Sequence, residues 1–132
     1  SDLGFEKAIW NAFHDCYIYR GEIDIVKSHG TGTISNNKSE KAAIERVFDG
    51  DKIVITSYKQ RIGHTMGASG LLESCLLIDD IQAAVVPHIM GRTRKDNKYL
   101  SDPHRLNSRN QKFLSMAAGM GNIYAAAIFE TI

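Results

Sequence analysis

Two short loops carry the side chains best suited to chemistry. His29 stands in "KSHGTGTISNN" (27–37) and His64 in "GHTMGASG" (63–70), each beside glycine and each followed by threonine. Each loop follows an apolar run and precedes a segment with helical spacing. In open α/β folds, loops at strand ends are where ligands bind, and helix N-termini nearby favour developing negative charge. A histidine with the hydroxyls of Thr31 and Thr33 suits a ligand site of that kind. The plainer alternative is that the glycines turn the chain and the threonines satisfy backbone groups. One histidine in such a loop is ordinarily structural; two in matching positions favour a site.

Lys59 lies five residues before His64 in "SYKQRIGHT", and Glu73 sits on the largely apolar segment that follows. Two readings of this pair stay open. Glu73 pairs with Lys59 and holds the second loop rigid, or Lys59 is solvated and Glu73 faces out with Asp80, seven residues on. Metal chemistry has no support: the five histidines include no pair three or four residues apart, and Cys16 and Cys75 form no CxxC. That cysteine usage suits a reducing, cytoplasmic setting.

The elements that must position these side chains follow from periodicity. "LGFEKAIWNAFH" (3–14) has a helical stripe at Phe5, Ile9, Trp10 and Phe13. "EIDIV" (22–26) reads as a strand, and Asn37 with Glu40 has the spacing of a capping box before a helical face at Ile44, Val47 and Phe48. "KIVIT" (52–56) is a second strand, "LLESCLLIDDIQ" a central helix, and "AAVVP" a strand stopped at Pro87. Residues 88–112 read as irregular and basic, and "KFLSMAAGMGN" with "IYAAAIFE" reads as a terminal hairpin. The pattern is α/β, a mixed five-stranded sheet packed by helices with a C-terminal β-hairpin.

The 132 residues suffice for one domain with a substantial core, and a formal charge of +1 gives no whole-chain case for nucleic acid or a membrane surface. No apolar run approaches the roughly 20 residues of a membrane span.

"SHGTGT…E" followed by "SYKQRIGHTMGASG" resembles the C-terminal half of a β-ketoacyl synthase, a condensing enzyme of fatty-acid and polyketide synthesis. The resemblance extends over residues 1–132 and implies half of a thiolase-like fold. It implies that His29 and His64 serve the malonyl half-reaction by stabilising the enolate left when carbon dioxide departs. Lys59 would support His64, with Glu73 as its partner, and Thr31 and Thr33 would bind the pantetheine arm. Glu40 would join a polar network near the first loop, a role its capping position explains equally well. No cofactor is implied beyond the phosphopantetheine of the acyl carrier protein. The implied partners are that carrier protein, the N-terminal half bearing the cysteine nucleophile, and a second subunit in a homo- or hetero-dimer.

Three departures qualify the resemblance. No cysteine here fills the nucleophile's place: Cys75 lies among leucines, where a buried, inert thiol is expected, and Cys16 has no basic setting. Alone, the chain is expected to be inactive in condensation. Asn37 replaces the family's usual aspartate, and "SMAAGMGN" (115–122) puts Ala118 where the family's gating phenylalanine stands. Met116 and Met120 either reshape the pocket or fill the core. These departures keep alive a non-catalytic partner resembling a chain-length factor, or a carrier-binding module. Residues 87–112 hold seven Lys/Arg against two Asp, either a solvated loop or a docking face for an acidic carrier protein.

Overall fold

A computed structural model describes residues 3–30, 34–49, 53–59, 69–88, 101–119 and 123–132. Its helices are α1 (Gly4–Cys16), α2 (Ile34–Phe48) and α3 (Ser69–Gln82). Its strands are β1 (Ile25–Lys27), β2 (Val54–Thr56), β3 (Val85–His88), β4 (Ser101–Arg105), β5 (Lys112–Gly119) and β6 (Ile123–Glu130). The main sheet runs β2-β1-β5-β6, with β1 parallel to both β2 and β5 and with β5 and β6 antiparallel.

Strand alternation decides which side chains face which helices. Val26, Leu114 and Met116 point to one face, where they join Phe5, Ile9 and Phe13 of α1 and Ala43, Ile44, Val47 and Phe48 of α2. Ile25, Phe113 and Val54 point to the other, against Leu77 and Ile81 of α3. The two faces therefore carry separate cores. Gly4 gives α1 its close seat on β6, because a Cβ there would overlap the ring of Tyr124. An ion pair from Arg46 Nε to Glu6 Oε2 at 2.6 Å ties α2 to α1.

Several expectations hold and several need correction. The mixed sheet, the three helices and the C-terminal hairpin are present. Among the described residues, however, the main sheet has four strands rather than five, because β3 pairs antiparallel with β4 in a separate two-stranded sheet. Pro87 removes a ladder donor from β3, which suits a short edge pairing more than a place in a larger sheet. β4 itself lies in the stretch expected to be irregular. Trp10 is not part of the buried stripe: it is 45% exposed, and Ala12 takes its place in the core. Arg20–Glu22 forms a tight 3₁₀ turn, so β1 begins only at Ile25. Asn37 and Glu40 lie inside α2, which already runs from Ile34, so they form no capping box. Cys75 is exposed rather than buried, on the side of α3 turned away from Glu73.

Candidate active site at the ends of β1 and β2

The parallel strands β1 and β2 end side by side, with Lys27 in register with Thr56. The chain leaves β1 through Ser28, His29 and Gly30, and leaves β2 through Ser57, Tyr58 and Lys59. Both histidine loops thus begin at the C-terminal ends of two neighbouring strands. Thr31, Thr33 and His64 lie outside the described residues. His29, Lys59, Glu40 and Glu73 lie within them, all four buried.

The first loop is held by α2. The carboxylate of Glu40 accepts the backbone N–H of His29 through Oε1 and that of Gly30, at 3.1 Å, through Oε2. One side chain therefore satisfies two consecutive loop donors, one buried and one part-buried. Burial raises the Glu40 pKa above its ordinary value, against those two N–H groups and the charges of Lys27 and Lys59. The imidazole is fixed from the other side, since Ala118 N–H donates to His29 Nδ1 at 3.3 Å. An Nδ1 that accepts leaves the neutral ring's proton on Nε2.

Gly30 has φ +60, the left-handed region. A Cβ there would overlap the hydroxyl of Ser57 and lie 3.1 Å from its Cβ. Gly30→Ala is therefore expected to lose about 1–3 kcal/mol of stability and to shift the His29 backbone, read as a lower urea midpoint. Thr56 Oγ1 and Ser57 Oγ, on the same rim, are buried without a hydrogen-bond partner among the described residues.

The chain leaving β2, at Tyr58 and Lys59, is held by α3, and Glu73 is paired rather than exposed. Glu73 is fully buried, with Oε2 2.7 Å from Lys59 Nζ. Asp80 does share its side of the helix, but that side meets the end of β2: Tyr58 donates its hydroxyl to Asp80 Oδ2 at 2.7 Å. Two carboxylates two turns apart thus grip consecutive residues, Tyr58 and Lys59. On the same face Ser74 donates to Gly70 O at 2.6 Å and meets the Ser115 hydroxyl at 3.0 Å, linking α3 to β5.

Lys27 escaped the sequence reading. It is fully buried, with Nζ 2.8 Å from Glu73 Oε1 and 3.2 Å from Ser28 O. Burial lowers its pKa, opposed by the hydrogen bond and charge of Glu73. The usable signal was alternation: Lys27 is two residues from Ile25, so it had to point at the α3 face. Among the described residues no cluster of three or more metal-ligating side chains occurs.

Relatives share this arrangement of elements. Residues 1–92 match the family profile described as "Beta-ketoacyl synthase, C-terminal domain". Nodulation protein E of Rhizobium leguminosarum bv. trifolii is 31% identical over 134 residues, covering 98% of this chain and 33% of that protein. A β-ketoacyl synthase from Burkholderia phymatum STM815 superposes with a TM-score of 0.84 at 25% identity, over 100% of this chain and 33% of its own. AntDE:AntF, a type II polyketide acyl-carrier protein in complex with its ketosynthase, superposes at 0.83 with 23% identity, over 100% of this chain and 34% of the other. The chain spans about a third of the length of each of these. On the profile match and the Nodulation protein E identity together, the chain belongs to the β-ketoacyl synthase family, as a C-terminal half.

Proposed function

We propose that the chain supplies the malonyl-handling part of a β-ketoacyl synthase site, for decarboxylative Claisen condensation in fatty-acid or polyketide synthesis. The observation that carries this is the Ala118 N–H bond to His29 Nδ1, which presents the imidazole as an Nε2–H donor. When the C–C bond to the malonyl carboxylate breaks, carbon dioxide leaves and its electron pair passes towards the thioester carbonyl oxygen. Nε2–H donors from His29 and His64 stabilise the enolate oxygen so formed. Lys59, anchored by Glu73, supports His64, and Thr31 and Thr33 hold the pantetheine arm. Glu40 positions the first loop through its two backbone contacts.

In this proposal residues 1–132 form one domain, and the cysteine nucleophile that takes the acyl primer belongs to the N-terminal half. No further cofactor enters: the substrate rides on the carrier protein's phosphopantetheine. The partners are the acyl carrier protein, the N-terminal half and a second subunit. Exposed Leu71 (72%) and Leu72 (40%) give α3 an apolar surface for such a contact. Exposed Arg105 and Arg109 continue the basic stretch proposed to meet the acidic carrier, and Arg92, Arg94, Lys95 and Lys98 lie outside the described residues. A cytoplasmic location suits these partners; no helix among the described residues is long and apolar enough to cross a membrane.

A second reading, a chain-length-factor-like partner without catalysis, draws on Ala118, which the family resemblance puts in the place of the gating phenylalanine. The full-length protein with malonyl-carrier protein distinguishes the two: carbon dioxide release supports the condensing enzyme, and none supports the non-catalytic partner.

A further inference from the structure

Lys27 is the buried charge that the reaction proposed above does not use. Four charged groups gather around the end of β1. Glu73 of α3 contacts Lys27 at 2.8 Å through one oxygen and Lys59 at 2.7 Å through the other. Lys27 and Glu40 hold the two sides of one peptide group, the ammonium donating to Ser28 O and the carboxylate accepting the N–H of His29, and each acts electrostatically on the other, with Lys59 acting on both. Two carboxylates and two ammonium groups balance, and they balance only with Lys27 present. Lys27 also begins the segment that becomes the first loop, its ammonium donating to Ser28 O at 3.2 Å.

We infer that Lys27 is a positioning residue of this site: its buried ammonium couples the Glu73–Lys59 pair to Glu40, and so keeps both Glu40 oxygens free to accept the backbone N–H groups of His29 and Gly30. What His29 then does rests on the function proposed above; the charge coupling does not.

The consequence is a protonation that the native array opposes. In Lys27→Met, Glu73 keeps its contact with Lys59, and the uncompensated carboxylate falls on Glu40. Burial already raises the Glu40 pKa, and the Lys27 charge opposes that rise. Its loss brings protonation of Glu40 closer to neutral pH. A protonated carboxyl turns one of its two acceptor oxygens into a donor, so one of the two loop N–H groups loses its partner.

The test uses the full-length synthase with malonyl-carrier protein, as wild type, K27M and K27M/E40Q, between about pH 5.5 and about pH 8.5. In K27M the decarboxylation rate is expected to fall with pH by about tenfold per unit below the shifted Glu40 value. K27M/E40Q, with no carboxyl to protonate, should lack that added acidic limb. Thermal midpoints give a readout without turnover. The folded variant takes up a proton on Glu40 that the unfolded chain does not, so the K27M deficit should be largest at high pH and narrow as pH falls. A deficit that is the same at every pH, in rate and in midpoint, would overturn the inference, because Lys27 would then only fill space. If the wild type releases no carbon dioxide, the proposed function fails, and the midpoint series alone decides Lys27 by the same two outcomes.

Discussion

Glu73→Gln is expected to lower stability by about 3–5 kcal/mol, because it strands two buried ammonium groups with no anion between them. Lys27 and Glu73 are 0% exposed at the side chain and Lys59 is 5% exposed, so water cannot take the carboxylate's place. Shape is nearly unchanged by the substitution, and the loss is one of charge. Replacing all three groups with apolar residues (K27M, K59M and E73L together) should therefore recover part of the stability, since none of the three is then stranded and only Glu40 loses its balancing charges. The loss in Glu73→Gln also depends on pH. Burial depresses the Lys27 pKa in the folded state and Glu73 opposes this, so removing Glu73 depresses it further. A folded state that binds fewer protons than the unfolded chain gains stability as pH rises. The deficit should shrink towards about pH 10, the ordinary lysine range, and be fully present below the folded Lys27 value. Urea unfolding of the full-length protein, followed by hydrogen exchange in residues 25–27 and 69–82, measures it. An E73Q midpoint equal to wild type would show that the three groups are not charged together.

His29→Ala is expected to reduce malonyl decarboxylation by about a hundred- to a thousandfold, the usual consequence of losing one donor to a developing oxyanion. The loss should fall on kcat, because the enolate oxygen carries more charge than the thioester carbonyl it grows from. Stability should change far less than in E73Q, since Glu40 binds the backbone of residue 29 and not its ring. His29→Ala does leave the Ala118 N–H without its acceptor, and a small local destabilisation around 115–119 is expected. Carbon dioxide release from malonyl-carrier protein by the full-length variant measures the effect. An unchanged rate would move the chain to the non-catalytic reading.

Much of this was legible because it is local. The strand–loop–helix order around His29 came from periodicity, and so did the hairpin that carries Ala118. Lys59 and Glu73 were nameable as a pair, but only the fold could choose between pairing and exposure. The choice turned on which side of α3 meets the sheet, a tertiary fact. Lys27 illustrates the harder case. A lysine closing a three-residue strand reads as its solvated end, and its partner lies 46 residues away. Glu40 misled for a related reason. Its spacing from Asn37 matches a capping box, but the helix begins earlier and the carboxylate caps the β1 loop instead. Cys75 and Trp10 failed because a mostly apolar helix and an aromatic stripe do not by themselves say which residues face out.

In the proposed function the fold delivers His29 as an Nε2–H donor. The most direct test of this is the ¹⁵N spectrum of the His29 imidazole in the full-length protein at neutral pH, assigned by comparison with His29→Gln. The expected result is a neutral ring protonated at Nε2, with an unprotonated Nδ1 coupled to the Ala118 amide. A neutral ring protonated at Nδ1 would contradict it, because Ala118 N–H would then have no acceptor there and His29 no Nε2 proton to offer the enolate.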